Sequence, residues 1–511
     1  MHEIMLMLLL VVMAVLWRWS EAVMLMSALV RSLSQQPALV VTDRVTAHRL
    51  LIRGSAGGSF CNRPPSTTPS AVLSRRRFHN LGSVPYGPLW RAMRRNITAD
   101  VLHPLRLHRY AGARRRALRG LIVDLTKQCT STQGGLGVVL AAESIRSAMF
   151  ALMATMCFGD GVDAGRVRAM ADAQRDFFQL FPTQDVFANL KLPGALARIV
   201  YRKQWSKLAT VRRKQEEMYF PLIDARRRRH RRPGETVAYV DTLIDLCVPD
   251  DASNAGMQRR LGNAELVGMC SEFLGAGTEA VDAELQWIMA YLVKRPDLQE
   301  AVRKEIDDAV GTDADEVSEE LLEKMDYLNA VILEALRLRP SVPFVFRQVM
   351  EGDNVVLDGR HVPAGTVMKF PSGCLVLDET AWADPNEFKP ERFLGSSGGE
   401  RVSLLAAAGS AGEIKMMPFG AGRRMCPGMG VAMLHLTYIT ANLVREFEWR
   451  EMGGELAVDL EPSIAFFTLM KRQLRAHLVP RRQDKQMMHD VMSSWKGCSC
   501  FRSCHVLYVA V

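Results

Sequence analysis

No internal repeat of fixed period runs through the 511 residues, which excludes solenoids and propellers. No zinc-finger spacing accompanies the arginine runs at 75–77, 114–116 and 226–229, so nucleic-acid binding is not expected. The ten cysteines lack the rhythm of a secreted domain, which points to free thiols in a reducing compartment. Cys498, Cys500, Cys504 and His505 fit no familiar zinc site either. Acids are in deficit, 55 Asp and Glu against 65 Lys and Arg, for a net charge of +10. Such charge suits an anionic lipid or an acidic partner, although arginine runs are commonly just solvated loops.

Apolar runs are also short. A full membrane span needs about 20 apolar residues. Residues 4–16 are apolar, Arg18 interrupts, and a second run covers 22–30 before Arg31. No small-residue cleavage site follows, so an uncleaved anchor is read over 1–36 in place of a signal peptide. Only Glu3 is strongly charged ahead of the first run, and the arginines come after it. The positive-inside rule then keeps the bulk of the chain cytosolic.

What is present is globular: 48% hydrophobic and 23% charged residues. The length allows up to three domains, but no linker clearly divides 85–480. Residues 37–85 read as irregular, with Gly, Ser and Pro gathered at 54–69. From Trp90 the pattern turns helical, with windows at 136–157, 164–179, 205–229, 264–294, 297–309, 318–338 and 427–445. Strand-like pairs appear only at 350–370, with a turn at Asp358-Gly359. The long central window has Asn263 as its expected N-cap, Glu265 in the first turn and a stop at Lys294-Arg295-Pro296. Its apolar face is broken by Ala276-Gly277-Thr278-Glu279, which is odd for a plain core helix.

The strongest pattern runs from Pro418 to Gly428: Phe419, Gly422, Arg424, Cys426 and Gly428 at fixed offsets, then a helix. A buried cysteine in a glycine turn is common, but not with all five together. Phe419-x-x-Gly422-x-Arg424-x-Cys426-x-Gly428 resembles the haem-binding signature of the cytochrome P-450 superfamily. Glu334-Ala335-Leu336-Arg337 resembles its Glu-x-x-Arg, and 388–393 its Pro-Glu-Arg-Phe region. Trp90-Arg91-Ala92-Met93-Arg94 resembles its Trp-x-x-x-Arg. The likeness covers about 61–481. It is nearest to plant A-type members, and among them to family eighty-nine, on 86–91, 271–274 and 415–418.

The resemblance implies a mainly helical fold with a small β region, and haem b between the long central helix and the Cys426 loop. It implies a catalytic domain over 37–481, preceded by the anchor at 1–36 and followed by an atypical tail at 482–511. Cys426 is then the axial ligand of the haem iron, a thiolate that pushes electron density onto the metal. Phe419 covers the sulfur, Gly422 and Gly428 admit the ring, and Trp90, Arg94 and Arg424 meet its propionates. Glu334, Arg337 and Arg392 form a buried ion triad that steadies the loop. The expected reaction inserts one atom of O2 into a small lipophilic substrate, with electrons from NADPH through a cytochrome P-450 reductase. Substrate-facing candidates are Phe273, Leu274, Gly275, Ala276, Val342, Phe344, Phe466 and Phe467. An endoplasmic reticulum membrane is the expected location, with lipid around the anchor.

Four features depart from the family pattern. The central helix keeps the acid, Glu279, but Ala280 stands where the family has an alcohol that organises proton delivery. Thr278 is no simple substitute, because two residues along a helix turn it about 200° away. Only Gln35-Gln36-Pro37 remains of a hinge, helix and early strands, which would leave a sheet edge unpaired. Residues 371–380 match poorly, and the tail at 482–511 matches nothing. Two rival readings therefore stand beside the monooxygenase. One is a haem-thiolate isomerase or dehydratase that needs no external oxygen. The other is an inactive haem-binding product of a damaged coding sequence.

Overall fold

The computed structural model describes residues 38–55, 58–64, 80–131, 138–180, 202–229, 235–250, 257–311, 316–395, 404–409 and 412–481. The two apolar runs before Arg31, the 75–77 arginines, the Cys498–His505 group and the 482–511 tail lie outside these residues. Among the described residues no helix is long and apolar enough to cross a membrane.

Eleven helices carry most of the chemistry. They are α1 (Arg44–His48), α2 (Pro88–Arg95), α3 (Ala111–Ser131), α4 (Ala141–Phe158), α5 (Ala164–Gln179), α6 (Arg202–Arg228), α7 (Tyr239–Asp245), α8 (Asn263–Lys294), α9 (Pro296–Val310), α10 (Asp326–Leu338) and α11 (Met429–Glu446). Helix α8 has 32 residues and is about 48 Å long. It runs through the core and packs against α4, α6, α10 and α11. Its N-cap is Gly262, one residue before the expected Asn263, because the Glu265 carboxylate takes the Gly262 N–H at 2.8 Å. Asn263 instead accepts from Arg227 at 2.9 Å. The single helix expected over 318–338 is split, with a short 3-10 turn at Glu319–Lys324 ahead of α10.

The β region is small. Strands β1 (Leu39–Val40), β5 (Val367–Pro371) and β2 (Phe344–Gln348) form one sheet, in the order β1-β5-β2. An unpaired sheet edge was expected; β1 covers that of β5, pairing parallel at Leu39–Met368 and Val40–Lys369. The short β1 moves the problem one strand outward: among the described residues nothing pairs its other side. Strands β3 (Val356–Leu357) and β4 (Arg360–His361) make the expected hairpin. Asp358 and Gly359 both take left-handed backbone there, φ +49° and +74°, as a tight hairpin turn requires. Strands β6 (Pro462–Ile464) and β7 (Thr468–Met470) form another antiparallel pair.

The two described arginine runs, at 114–116 and 226–229, are not open loops. Arg114 is fully buried on α3 and grips Glu319 through Nε and Nη2 at 2.6 and 2.7 Å. Arg226, near the end of α6, holds Asp241, and Arg115 and Arg116 hold Glu316 and Asp160. Helical periodicity turns one arginine of each run inward, where an acid meets it.

Candidate functional site

The Cys426 loop enters a helix from a backbone clasp. The Cys426 N–H donates to Phe419 O at 2.9 Å, and the Gly428 N–H donates to Cys426 Sγ at 3.3 Å just before α11 begins. Burial pushes the thiol pKa up, while Gly428 N–H, Arg94 and Arg63 pull it down. Binding a metal would tip that balance to the thiolate. Gly422 has a φ of +70°, and a Cβ there would lie 2.0 Å from Leu51 O. It lets the loop dock on the Arg49–Arg53 turn. At Gly428 a Cβ would meet only ordinary contacts, 3.6 Å from Val431 and 3.7 Å from Sγ.

Around this sulfur the chain gathers arginines. Arg424 is buried and donates to the carbonyls of Cys61 (2.9 Å), Leu81 (3.2 Å) and Val84 (2.7 Å). Its guanidinium lies 4.8 Å from the centre of the Trp90 ring. Arg424 is thus largely spent on backbone, with two of its N–H groups left for an anion. Trp90 serves as a platform for Arg424 and for Arg94, 5.9 Å away. Arg94 itself donates to Met425 O at 2.7 Å. Two arginines that no sequence motif singled out join them. Arg63 reaches Gly82 O and Arg424 O at 3.4 and 3.5 Å, and Arg347 on β2 donates to Ala421 O at 3.2 Å. Desolvation lowers all four pKa values, with Arg347 down to about 9 and Arg424 to about 10, and neighbouring guanidiniums lower those of Arg94, Arg347 and Arg424 further. The carboxylate acting on this group is Glu272 on α8, which is itself tied to the N–H groups of Leu81 and Gly82 at 2.8 and 2.7 Å. Four cations around one acid and a thiol make a donor set that fits an iron-bearing ligand with two carboxylates, as haem is.

Helix α8 forms the facing wall. Ala276 is exposed and Ala280 half-buried, although most of their neighbours on α8 are buried, so a cleft borders this face. Glu272, one turn earlier on the same stripe, reaches segment 81–84, which Arg424 holds from the other side. Of the expected substrate contacts, Phe273 packs on Tyr239 with ring centres 4.6 Å apart, and Leu274 is fully buried. Both side chains pack in the core, Leu274 about 200° round α8 from Ala276 and Phe273 about 60° from it. Gly275 is packed too: a Cβ would lie 2.5 Å from Gln174 Nε2 and 2.7 Å from Phe178. Val342 and Phe344 are half-buried. Phe466 and Phe467 cluster with Phe178 at 6.1 and 5.4 Å, an aromatic partner that spacing could not reveal.

The acids of α8 are unusual. Thr278 is fully buried and its hydroxyl has no partner. Glu279 is buried and bonded to Arg146 of α4; burial raises its pKa and Arg146 opposes the rise. Asp282, one turn on, is pushed up to about 7 by burial and by Glu279. Glu284 goes up to about 8 through burial, and its Oε1 accepts the Ser341 N–H at 2.6 Å. Ser341 O in turn accepts from Thr468 N at 2.8 Å. Glu284 thereby fastens the segment before Phe344 and the one after Phe467 to α8.

The ion triad assembles around Glu334, which is fully buried like Arg337. Arg337 binds it through Nε and Nη2 at 2.7 and 2.8 Å, and Arg392 Nε at 3.1 Å. Arg337 also donates to Val376 O and Pro385 O at 3.1 and 2.8 Å. It lies over Trp382, whose Nε1 donates to Lys415 O at 3.1 Å, eleven residues ahead of Cys426. The triad therefore steadies the loop through Trp382, at one remove.

Against known proteins, the sequence profile described as Cytochrome P450 matches residues 30–474. Cytochrome P450 89A9 of Arabidopsis thaliana is 36% identical over 452 residues, 88% of this chain and 85% of the relative. Cytochrome P450 78A9 of the same plant is 28% identical over 427 residues, 83% of this chain and 75% of the relative. A zebra fish cytochrome P450 solved with progesterone superposes with a TM-score of 0.69 at 20% identity, covering 89% of this chain and 99% of that one. With the profile and a 36% relative spanning most of its length, the chain belongs to the cytochrome P450 family of haem-thiolate monooxygenases.

Proposed function

We propose that this monooxygenase holds haem b through the Cys426 thiolate and oxidises a small lipophilic molecule with NADPH electrons relayed by a flavoprotein reductase. The observation that carries the cofactor reading is the arginine group at 63, 94, 347 and 424 beside one carboxylate and the Cys426 sulfur. The haem supplies activation of dioxygen, helped by thiolate donation. The protein's own part is to orient, shield and supply protons. Gly428 N–H and the start of α11 stabilise negative charge on sulfur. Arg94, Arg424, Arg63 and Arg347 would take the propionates. Ala276, Val342, Phe344, Phe466 and Phe467, with Phe178, offer an apolar wall for the substrate. The net charge of +10 suits an acidic electron donor.

Proton supply is the weak point. Ala280 brings no hydroxyl to the cleft, so part of the NADPH should end as peroxide. With reductase and a turnover substrate, Ala280→Thr is expected to raise product per NADPH and lower peroxide per NADPH. An unchanged or lower ratio means another group already fills the role.

Residues 1–31 are proposed to tether the chain to the endoplasmic reticulum with the catalytic domain in the cytosol. Added protease should digest a reporter fused to the C-terminus in sealed microsomes. A protected reporter reverses the topology.

A further inference from the structure

Three helices place a graded set of charges beside Glu279. Glu143 on α4 and Arg175 on α5 pair at 2.6 Å with side chains 55% and 35% exposed. Arg146, one turn along from Glu143, is 16% exposed and pairs with Glu279, 8% exposed. Deeper still, Asp282 is buried, and its Oδ1 accepts from Gln286 Nε2 at 3.1 Å. The charged groups acting on Asp282 are Glu279 on its own helix and Arg146 and Glu143 on α4; Arg175 acts on Glu279 from α5. Three carboxylates thus stand against two guanidiniums. Buried charge persists only when paired, so the acid in excess stays protonated. The two outer acids each have an arginine in contact, which leaves the proton on Asp282. Arg146 has unused capacity as well: its Nε is buried without a hydrogen-bond partner.

We propose that Asp282 is a proton store for the oxygenation reaction, offsetting in part the hydroxyl that Ala280 lacks. The Asp282 carboxylic acid gives its proton to the Glu279 carboxylate. This leaves an Asp282 carboxylate and a Glu279 carboxylic acid, and Arg146 shifts its charge from Glu279 to Asp282. Neutral and released, Glu279 can turn toward the cleft beside Ala280, its neighbour about 100° round the helix. A solvent proton entering past Glu143 and Arg175 then reloads Asp282. Proton and charge are conserved at every step. In this scheme Asp282 acts through Glu279 and is a positioning residue, without touching substrate.

The inference rests on the monooxygenase reading, so its test separates the two. Wild-type holoprotein and Asp282→Asn are compared as carbon monoxide complexes, whose thiolate band reports on the reading itself. Infrared difference spectra across pH then follow the protonated-carboxyl band. Wild type should lose a carboxyl band with a midpoint of about 7, and Asp282→Asn should lack that band. In turnover, wild-type product per NADPH should fall as pH rises through the same midpoint, while the variant is poorly coupled and loses this pH dependence. Glu279→Gln should keep the Asp282 band yet couple poorly, because it blocks the transfer. If Asp282→Asn yields no holoprotein, the wild-type spectrum and Glu279→Gln still decide. A wild-type band that is absent or titrates with ordinary carboxylates overturns the proposal. So does an Asp282→Asn enzyme with wild-type coupling and pH profile.

Discussion

Cys426→Ser is expected to abolish the red-shifted carbon monoxide band of the reduced holoprotein. Serine matches the size of cysteine and can accept the Gly428 N–H that now reaches Sγ at 3.3 Å. The backbone clasp between Cys426 and Phe419 uses main-chain atoms only and survives the change. The variant should therefore fold, with circular dichroism near wild type. What it loses is a sulfur whose ionised form Gly428 N–H, Arg94 and Arg63 favour against the cost of burial. Without thiolate donation the metal has lost the push that favours O–O cleavage, so monooxygenase turnover should vanish as well. A serine variant that keeps the band would remove Cys426 from the role.

Glu334→Ala is expected to leave almost no folded holoprotein. The glutamate receives two bonds from Arg337, one from Arg392 and the Lys389 N–H at 2.8 Å. Its removal strands Arg337, which is fully buried. Breaking a buried ion group by deleting one partner costs about 3–5 kcal/mol. Whole-domain stability is commonly only about 5–15 kcal/mol. The loss also frees the 376–387 carbonyls that Arg337 gathers, and with them Trp382 and its hold on Lys415. Soluble yield, haem content and thermal midpoint should fall together. Normal haem content with a selective loss of turnover would instead give Glu334 a part in the chemistry.

Local patterns explain what could be read in advance. The 3.6-residue period of α8, the Asp358-Gly359 turn and the three-residue spacing of Glu334 and Arg337 are properties of neighbouring residues, and all three return in the structure. The cysteine loop was legible because its clasp spans only a few residues. Arg63 and Arg347 were not, since each is an ordinary arginine in its own segment and acquires meaning from partners far along the chain, such as Ala421 for Arg347. The pairing of Arg146 with Glu279, 133 residues apart, was hidden for the same reason. The packing of Phe273 on Tyr239 was hidden too, because an apolar residue on a buried helix gives no sign of which neighbour it faces.

The crowding of Arg63, Arg94, Arg347 and Arg424 has a cellular consequence. These guanidiniums repel one another, and among the described residues Glu272 is the carboxylate that acts on them. Haem therefore doubles as a counter-ion, and its binding free energy adds to the stability of the native chain. A newly made chain that meets no haem keeps that repulsion inside it and opens more often to proteases. The abundance of this enzyme should then track the cell's haem supply as closely as the level of its own messenger.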